Sequence, residues 1–388
     1  MKTLLKFILV CTLLVGCAQK SRSRLSHDPA REVNLAGKKL AEIPPYIFSV
    51  NQLEVLYING NHLTYLPAKI GDLDGLIVLN AAYNKINQIP KELGTLKYLE
   101  TLFLSNNQIT MLPGNVKDLT ELRTLKINDN QIAYLPEGVG NLKNLRHLDV
   151  KNNQLQVFPE GIIQLGALKF LDCGYNRISS VPSNIKKLKK LETLNLGGNS
   201  ISAIPSGIGS LKSLKHLEIQ GNPLVQFPRE IKNLKRLQYL DISGLRLIRL
   251  PAEVCALKEL RVLVISNNQL TSLPKELANL KKLHTLFIAS NDFTVFPDVI
   301  CELRGLKNLV LIGNDIKAIP REIGQLTELT DLKFEQNRIG SLPDEMRLLT
   351  KLKGLNLDHN QFTLQEVKRI RKLLPPQVEL RYKGQAVK

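Results

Sequence analysis

Histidine, cysteine and serine side chains are the groups from which an active site or a metal site would be built in this chain. Six histidines and five cysteines are scattered along 388 residues. No GxSxG, HExxH, paired CxxC or phosphate-loop motif occurs, so the spacing that a nucleophile, a zinc ion or a nucleotide phosphate needs is missing. We therefore expect a protein that is not an enzyme and that uses no cofactor and no metal.

Cys17 is the one cysteine whose surroundings specify a chemistry. It follows a basic start and an apolar stretch, residues 7–15, that is too short for a comfortable membrane span. The tetrapeptide LVGC that ends at Cys17 resembles the lipobox of bacterial lipoproteins. The resemblance implies that residues 1–16 are a signal peptide and that Cys17 is acylated, with palmitate among the chains. The alternative is an ordinary secretory signal in which Cys17 is incidental.

Residues 17–30 would then comprise the lipidated cysteine and a flexible basic tether. Several acyl chains on one residue would anchor the protein stably to a membrane. Ala18 after the cysteine favours the outer membrane over the inner membrane of a bacterial envelope. The tether's basic residues either contact anionic lipid headgroups or are merely solvated.

A 23-residue repeat supplies the elements that position the other residues. Leu53 to Leu76 reads LEVLYINGNHLTYLPAKIGDLDGL, and the chain is built from copies of it. One asparagine recurs every 23 residues, apart from a 46-residue interval across Leu245. A period in this range indicates a solenoid. These ladder asparagines are Asn61, Asn84, Asn107, Asn130, Asn153, Asn176, Asn199, Asn222, Asn268, Asn291, Asn314, Asn337 and Asn360.

The repeat has the form LxxLxLxxNxLxxLPxxIxxLxx and resembles the leucine-rich repeat family. Its Leu-Pro variant is similar to Ras-suppressor-type repeats and to repeats of bacterial surface lipoproteins, leptospiral ones among them. The resemblance implies an α/β leucine-rich-repeat solenoid of about 14–15 repeats. A parallel β-sheet would form the concave side of this horseshoe, and short helical or 3₁₀ turns the convex side. In the family, the asparagines form a ladder of hydrogen bonds to the backbone.

Spacing within the repeat gives the same picture. Leu56 and Ile58 are two residues apart, so their side chains face one side of a short strand, and the residue between them faces the other. We expect a repeat domain over 31–363, with a degenerate capping repeat at 31–46. We expect a C-terminal cap over 364–388, made of a helix and a last strand.

Three cysteines remain within the repeats. Cys173 replaces an inward aliphatic residue, and Cys255 and Cys301 occupy one repeat position two repeats apart. Stacking at roughly 5 Å per repeat would separate the last two by about 10 Å, beyond the reach of about 7 Å that a disulfide needs. We therefore predict three free thiols.

The residues between the inward leucines form a column along the concave face that falls into zones. An acidic zone comprises Asp149, Asp172, Glu218 and Asp241. An apolar patch follows it and comprises Val264, Phe287 and Val310, with Tyr239, Val262 and Ile312 on its flanks. Exposed apolar residues that lie together often mark a partner site, although strand propensity alone would also favour these residue types.

A net charge of +18 favours acidic partners. Much of it lies at periodic lysine and arginine positions that would form a basic ridge along one edge of the solenoid. An anionic glycan or lipid headgroup is a possible partner for this ridge, whereas nucleic acid is not expected for an exported protein. The alternative is a solvated ridge that complements helix ends.

These features favour a membrane-anchored, non-catalytic scaffold whose concave sheet binds a protein, in adhesion or host interaction. One alternative is an envelope structural protein that binds an anionic glycan or lipopolysaccharide through the basic ridge. Another is a signalling scaffold, which the signal peptide disfavours. At Leu245, a local kink and simple drift of one repeat are equally open, because leucine cannot make the side-chain hydrogen bonds of asparagine.

Overall fold

A single curved sheet organises the molecule. The computed structural model describes residue 28 and residues 31–386. The strands β1 to β17 are, in chain order, Glu32–Asn34, Val55–Tyr57, Val78–Asn80, Thr101–Phe103, Thr124–Lys126, His147–Asp149, Phe170–Asp172, Thr193–Asn195, His216–Glu218, Tyr239–Asp241, Val262–Val264, Thr285–Phe287, Asn308–Val310, Asp331–Lys333, Gly354–Asn356, Glu379–Tyr382 and Gln385–Ala386. Strands β1 to β16 run parallel in sequence order, which confirms the predicted leucine-rich-repeat solenoid.

The 23-residue period sets the register of the sheet. Leu56 pairs with Leu79 in β3, which pairs with Leu102 in β4, and this spacing continues along the stack. The central residue of each strand points inward, and Leu56, Ile58 and Leu63 have no exposed surface. Since one repeat can bury these side chains only against its neighbours, the stack forms one continuous core.

Short 3₁₀ turns line the convex side. Proline precedes nearly all of them in an extended conformation, as Pro67 does at φ −72° and ψ 154°, so it usually lies one residue before the turn instead of in its first position. The turns are Pro45–Ser49, Ala68–Asp72, Lys91–Thr95, Gly114–Asp118, Glu137–Asn141, Glu160–Gln164, Ser183–Lys187, Ser206–Ser210, Arg229–Asn233, Ala252–Ala256, Lys275–Asn279, Asp298–Glu302, Arg321–Gln325 and Asp344–Leu348.

The C-terminal cap closes the core with one α-helix, α1 (Leu364–Leu373). The Thr363 side chain caps its N-terminus by accepting a hydrogen bond from the Glu366 backbone N–H. Val367 and Ile370 are fully buried against the last repeat. Strand β16 then pairs with β15, and the short β17 turns back antiparallel to β16. The sequence pattern predicted the helix and β16 but not β17.

The three repeat cysteines are free and buried, each at a different repeat. Burial raises the pKa of the Cys255 thiol to about 11 and that of Cys301 to about 12. In the described part of the chain, no helix is both long enough and apolar enough to cross a bilayer.

Candidate functional site

The ladder asparagines lie where the chain turns away from the sheet. The Asn199 side-chain amide donates to the Cys173 carbonyl at 3.0 Å and to the Leu196 carbonyl at 2.9 Å. Its Oδ1 accepts from the Ile178 N–H at 3.0 Å. The same three contacts recur at every ladder asparagine from Asn61 to Asn337. The ladder therefore satisfies buried backbone groups and holds the concave face in shape.

The ladder break at Leu245 is compensated by hydrogen bonds in its own loop and in the loops of the two neighbouring repeats. Leu245 is buried, and its backbone N–H donates to Asn268 Oδ1 at 3.0 Å, an atom that also accepts from the Leu247 N–H. Leu224, which has no asparagine oxygen to bind, donates to the Asn222 carbonyl at 2.9 Å. Strand pairing continues through the break. The rearrangement is thus confined to the loops and does not interrupt the sheet.

The acidic zone forms one row across neighbouring strands. Asp149 pairs with Asp172, Asp172 with Asn195, Asn195 with Glu218, and Glu218 with Asp241. Asp172 and Asp241 are 9% and 6% exposed, so both are buried although their column lies on the concave face. Strands only about 4.8 Å apart leave little room for solvent between short side chains on an inwardly curved face.

Burial shifts the proton affinity of this row. It raises the pKa of Asp172 to about 7, with the negative charge of Asp149 as the next cause, and it raises the pKa of Asp241 to about 6. Glu218 behaves differently. Burial alone would raise the pKa of Glu218, but a 2.6 Å hydrogen bond to the His216 ring lowers it overall. Neighbouring carboxyls of one row therefore hold their protons with very different strengths.

Two ring stacks flank the acidic row, and sequence reasoning missed both. The His147 and Phe170 rings lie parallel with centroids 4.0 Å apart, and His216 stacks on Tyr239 at the same distance. The sequence contains a signal for these stacks. The two rings of each pair are 23 residues apart, so they occupy the same position of neighbouring repeats. His147 is held neutral, since burial and then the charge of Lys126 lower its pKa to about 4.

Tyr175 is a further concave residue that sequence reasoning missed. Its φ of +53° is the left-handed turn that the residue before the ladder position adopts throughout the described repeats, as Tyr83 and Asn152 also do. The ring is 52% exposed, and the Lys151 ammonium lies 5.2 Å from its centroid. The exposed ring therefore adds aromatic surface beside the acidic row.

The apolar patch directly continues the acidic row. Asp241 pairs with Val264, which pairs with Phe287, which pairs with Val310. Tyr239 and Val262 pair in the neighbouring column, and Ile312 lies beside Val310. Val264 and Val310 are only 5% and 4% exposed, so the patch is less open than the sequence predicted. Phe287, Ile312, Tyr239 and Val262 keep partly exposed surface.

Among the residues that the structure describes, no three histidine, cysteine or acidic side chains converge in a way that could hold a metal ion. His147 and His216 lie on strands three repeats apart. The predicted lipidation site, Cys17, lies outside the described residues.

Two family models match the repeats. A model described as a leucine-rich repeat region matches residues 114–196 and 206–309. A model described as a leucine rich repeat matches residues 74–132, 174–224 and 304–362. None of the curated proteins compared with the chain matches it.

Several solved structures are similar over most of the chain. A leucine-rich repeat protein of Leptospira interrogans is 34% identical, with a TM-score of 0.86, and the match covers 92% of this chain and 97% of that one. An internalin from Listeria monocytogenes is 26% identical, with a TM-score of 0.69 and coverages of 83% and 85%. A plant peptide hormone receptor, RGFR1 in complex with RGF2, is 27% identical, with a TM-score of 0.68 and coverages of 90% and 63%.

Proposed function

Because the chain belongs to the leucine-rich repeat family, whose fold supports protein-binding scaffolds, we propose that its concave sheet binds an extended protein segment with basic and apolar side chains. The observation that carries this proposal is the continuous row in which the acidic zone abuts the apolar patch at Asp241 and Val264. A segment lying across the strands would place its cations over the acidic zone and its apolar residues over the apolar patch.

The two halves of the row contribute differently. The partly exposed Phe287 and Ile312 supply apolar area that a partner can cover, which is the source of most affinity in such contacts. The acidic half selects the partner, because a cation of the partner would gain charge attraction from Asp149 and Glu218 that an uncharged segment would not. The ring stacks and Tyr175 border this half and offer faces for cations.

The relatives support a protein ligand. The plant receptor RGFR1 was solved in complex with RGF2. For this chain, the partner class rests on the chemistry of its own row, since the receptor is only 27% identical.

We also propose that the scaffold is tethered to a membrane of the bacterial envelope through acylated Cys17, with the outer membrane favoured. The LVGC tetrapeptide and its basic and apolar flanks carry this proposal. In this arrangement the solenoid acts in binding and not in catalysis. Adhesion or host interaction follows if the horseshoe faces outward, and envelope assembly follows if it faces the periplasm.

A selection experiment tests the ligand class. Short random peptides displayed on phage would be selected on the wild-type protein and counter-selected on the Phe287→Ala/Ile312→Ser variant. We expect enriched peptides that combine lysine or arginine with aliphatic or aromatic residues, and an affinity at least about tenfold weaker for the variant. Met111→Ser/Val157→Ser, at exposed positions beside the convex turns, is the matched control.

Peptides without basic residues, or peptides that bind the Phe287→Ala/Ile312→Ser variant as tightly as the wild type, would contradict the proposal. Thermal melting of each variant separates lost contacts from lost folding. We expect both variants to melt cooperatively within a few degrees of the wild type, because all four positions keep exposed surface.

A further inference from the structure

Six consecutive repeats carry a basic residue at one position of the edge that leads from the 3₁₀ turns back to the sheet. Each follows its turn by two residues, as Lys189 follows Ser183–Lys187. These residues, which we call the basic ridge, are Lys189, Lys212, Lys235, Lys258, Lys281 and Arg304. All six are exposed. Repeats stack about 5 Å apart, so the ridge presents a line of cations roughly 25 Å long.

The ridge has no acidic partners within the described structure. None of its six side chains forms an ion pair there, although lysines beside them do. Lys215 binds Glu192 at 2.7 Å and Lys282 binds Glu259 at 2.6 Å. Glu302 lines the same hollow as Lys281 and Arg304 but forms an ion pair with neither of them. The cations of the ridge are left available for an anion from outside.

Capping of the convex turns explains only one member of the ridge. Lys212 Nζ donates to the Gly209 carbonyl at 2.6 Å and to the Asn233 carbonyl at 3.3 Å. The other five ridge side chains make no such hydrogen bond in the described structure. If the ridge residues served only to complement the turn ends, each of them would donate a hydrogen bond to a turn carbonyl as Lys212 does. Capping of the turns therefore does not explain the ridge.

The charge around the ridge is concentrated. Residues 183–307 contain 19 lysines and arginines and 10 aspartates and glutamates, a net charge of +9. That third of the chain therefore holds half of the total charge of +18. A field of one sign along one edge attracts and aligns a linear anion.

The chemistry of the edge distinguishes between linear anions. Proteins that bind single-stranded nucleic acid interleave aromatic rings with basic residues so that bases can stack. Neither the ridge nor the adjacent position that contains Lys190 and Arg236 carries an aromatic residue from residue 189 to residue 305. An acidic polysaccharide needs no stacking. It presents one carboxylate or sulfate on each sugar or every second sugar, a spacing comparable to that of stacked repeats.

We propose that the basic ridge binds a linear acidic polysaccharide along successive repeats. The site is separate from the concave row and does not depend on the protein ligand proposed for it. One chain of sugars would cross several repeats, so affinity should rise with chain length until the whole ridge is occupied.

Size-defined heparin oligosaccharides are the probe, and neutral dextran is the blank. Lys235→Glu/Lys258→Glu/Lys281→Glu removes the centre of the ridge. Lys69→Glu/Lys91→Glu/Lys117→Glu changes the net charge equally at exposed positions of the first repeats and is the matched control. We expect the ridge variant to bind at least about tenfold more weakly and the control less than about threefold, in moderate salt that screens the distant charges. The Phe287→Ala/Ile312→Ser variant should bind heparin as the wild type does.

Three results would overturn the proposal. An equal loss in the two charge variants would mean that net charge alone attracts heparin. An unchanged affinity in the ridge variant would exclude the ridge. Competition by a single-stranded oligonucleotide at equal charge concentration, as strong as by heparin itself, would assign the edge to nucleic acid. Both variants replace exposed side chains only, so thermal melting should confirm that they are folded.

Discussion

Asp172 and Asn195 are joined across neighbouring strands by a hydrogen bond of 3.1 Å from the Asn195 side-chain amide to Asp172 Oδ2. The other oxygen of Asp172 accepts from the Gly174 N–H at 2.8 Å. These contacts favour the ionised carboxyl, but burial outweighs them and raises its pKa to about 7. The concave face thus contains an acid that changes charge near neutral pH.

This acid should make the stability of the solenoid depend on pH. The folded protein retains the proton of Asp172 at pH values where the unfolded chain has lost it. The stabilisation is therefore complete below about pH 4 and is lost as the pH rises through about 7. Asp241, with a pKa of about 6, should act in the same direction.

Asp172→Asn tests this dependence, because asparagine keeps an acceptor for Gly174 and removes the charge. We expect the substitution to raise the free energy of unfolding at about pH 8 by on the order of 1–3 kcal/mol and to have little effect at about pH 4. Urea unfolding at both pH values measures the difference. An Asp74→Asn control, at an exposed position, should change neither value. A variant less stable than the wild type at about pH 8 would mean that the ionised form is the favoured one.

The asparagine ladder should contribute strongly to stability in the middle of the stack. Asn199→Ala removes all the hydrogen bonds of that side chain and leaves the buried Ile178 N–H without its acceptor. The Cys173 and Leu196 carbonyls each keep only the hydrogen bond from a neighbouring ladder asparagine. We expect a loss of about 2–4 kcal/mol in the free energy of unfolding. Asn360→Ala, at a half-buried position near the end of the stack, should cost clearly less. Equal losses at the two positions would show that burial does not set the cost.

The loop at the ladder break should open more readily than its counterparts. Pro223 has no N–H to donate, and Leu224 bonds within its own loop instead of across to the next repeat. Native-state hydrogen exchange should therefore be faster for amides in 222–226 than for the equivalent amides in 176–180. Equal protection of the two loops would show that the local hydrogen bonds replace the ladder completely.

Acylation should require Cys17. In a bacterial host that processes lipoproteins, the wild-type protein should incorporate radiolabelled palmitate and sediment with membranes. Cys17→Ser should do neither, while Cys11→Ser, a control within the proposed signal peptide, should behave as the wild type. Label in the Cys17→Ser variant would exclude the proposed lipidation site.

The fold could be predicted because one period governs most of the chain. The positions of Leu56, Ile58 and Asn61 recur every 23 residues with the same residue class apart from the break at Leu245, and a strand spacing of two residues fixes which side chains are buried. The end of the chain and the break in the asparagine ladder were harder to predict. The short β17 has no periodic pattern, and the compensation at Leu245 depends on where the Asn268 oxygen happens to lie.

The sequence predicted which residues lie along the concave face, but it did not predict how far each of them is exposed to solvent. The repeat placed Val264 and Val310 in the apolar patch and Asp172 and Asp241 in the acidic zone, as the strand pairing requires. Their burial depends on the size of the side chains on both neighbouring strands and on the curvature of the sheet. A sequence pattern read one repeat at a time contains neither quantity.

A crystal structure of the protein with a peptide selected by phage display tests the proposed concave binding site most directly. We expect the peptide to cross strands β6 to β13, with a lysine or arginine near Asp149 or Glu218 and an apolar side chain on Phe287. A peptide bound to the convex turns or the basic ridge, with the concave row empty, would contradict the proposed function.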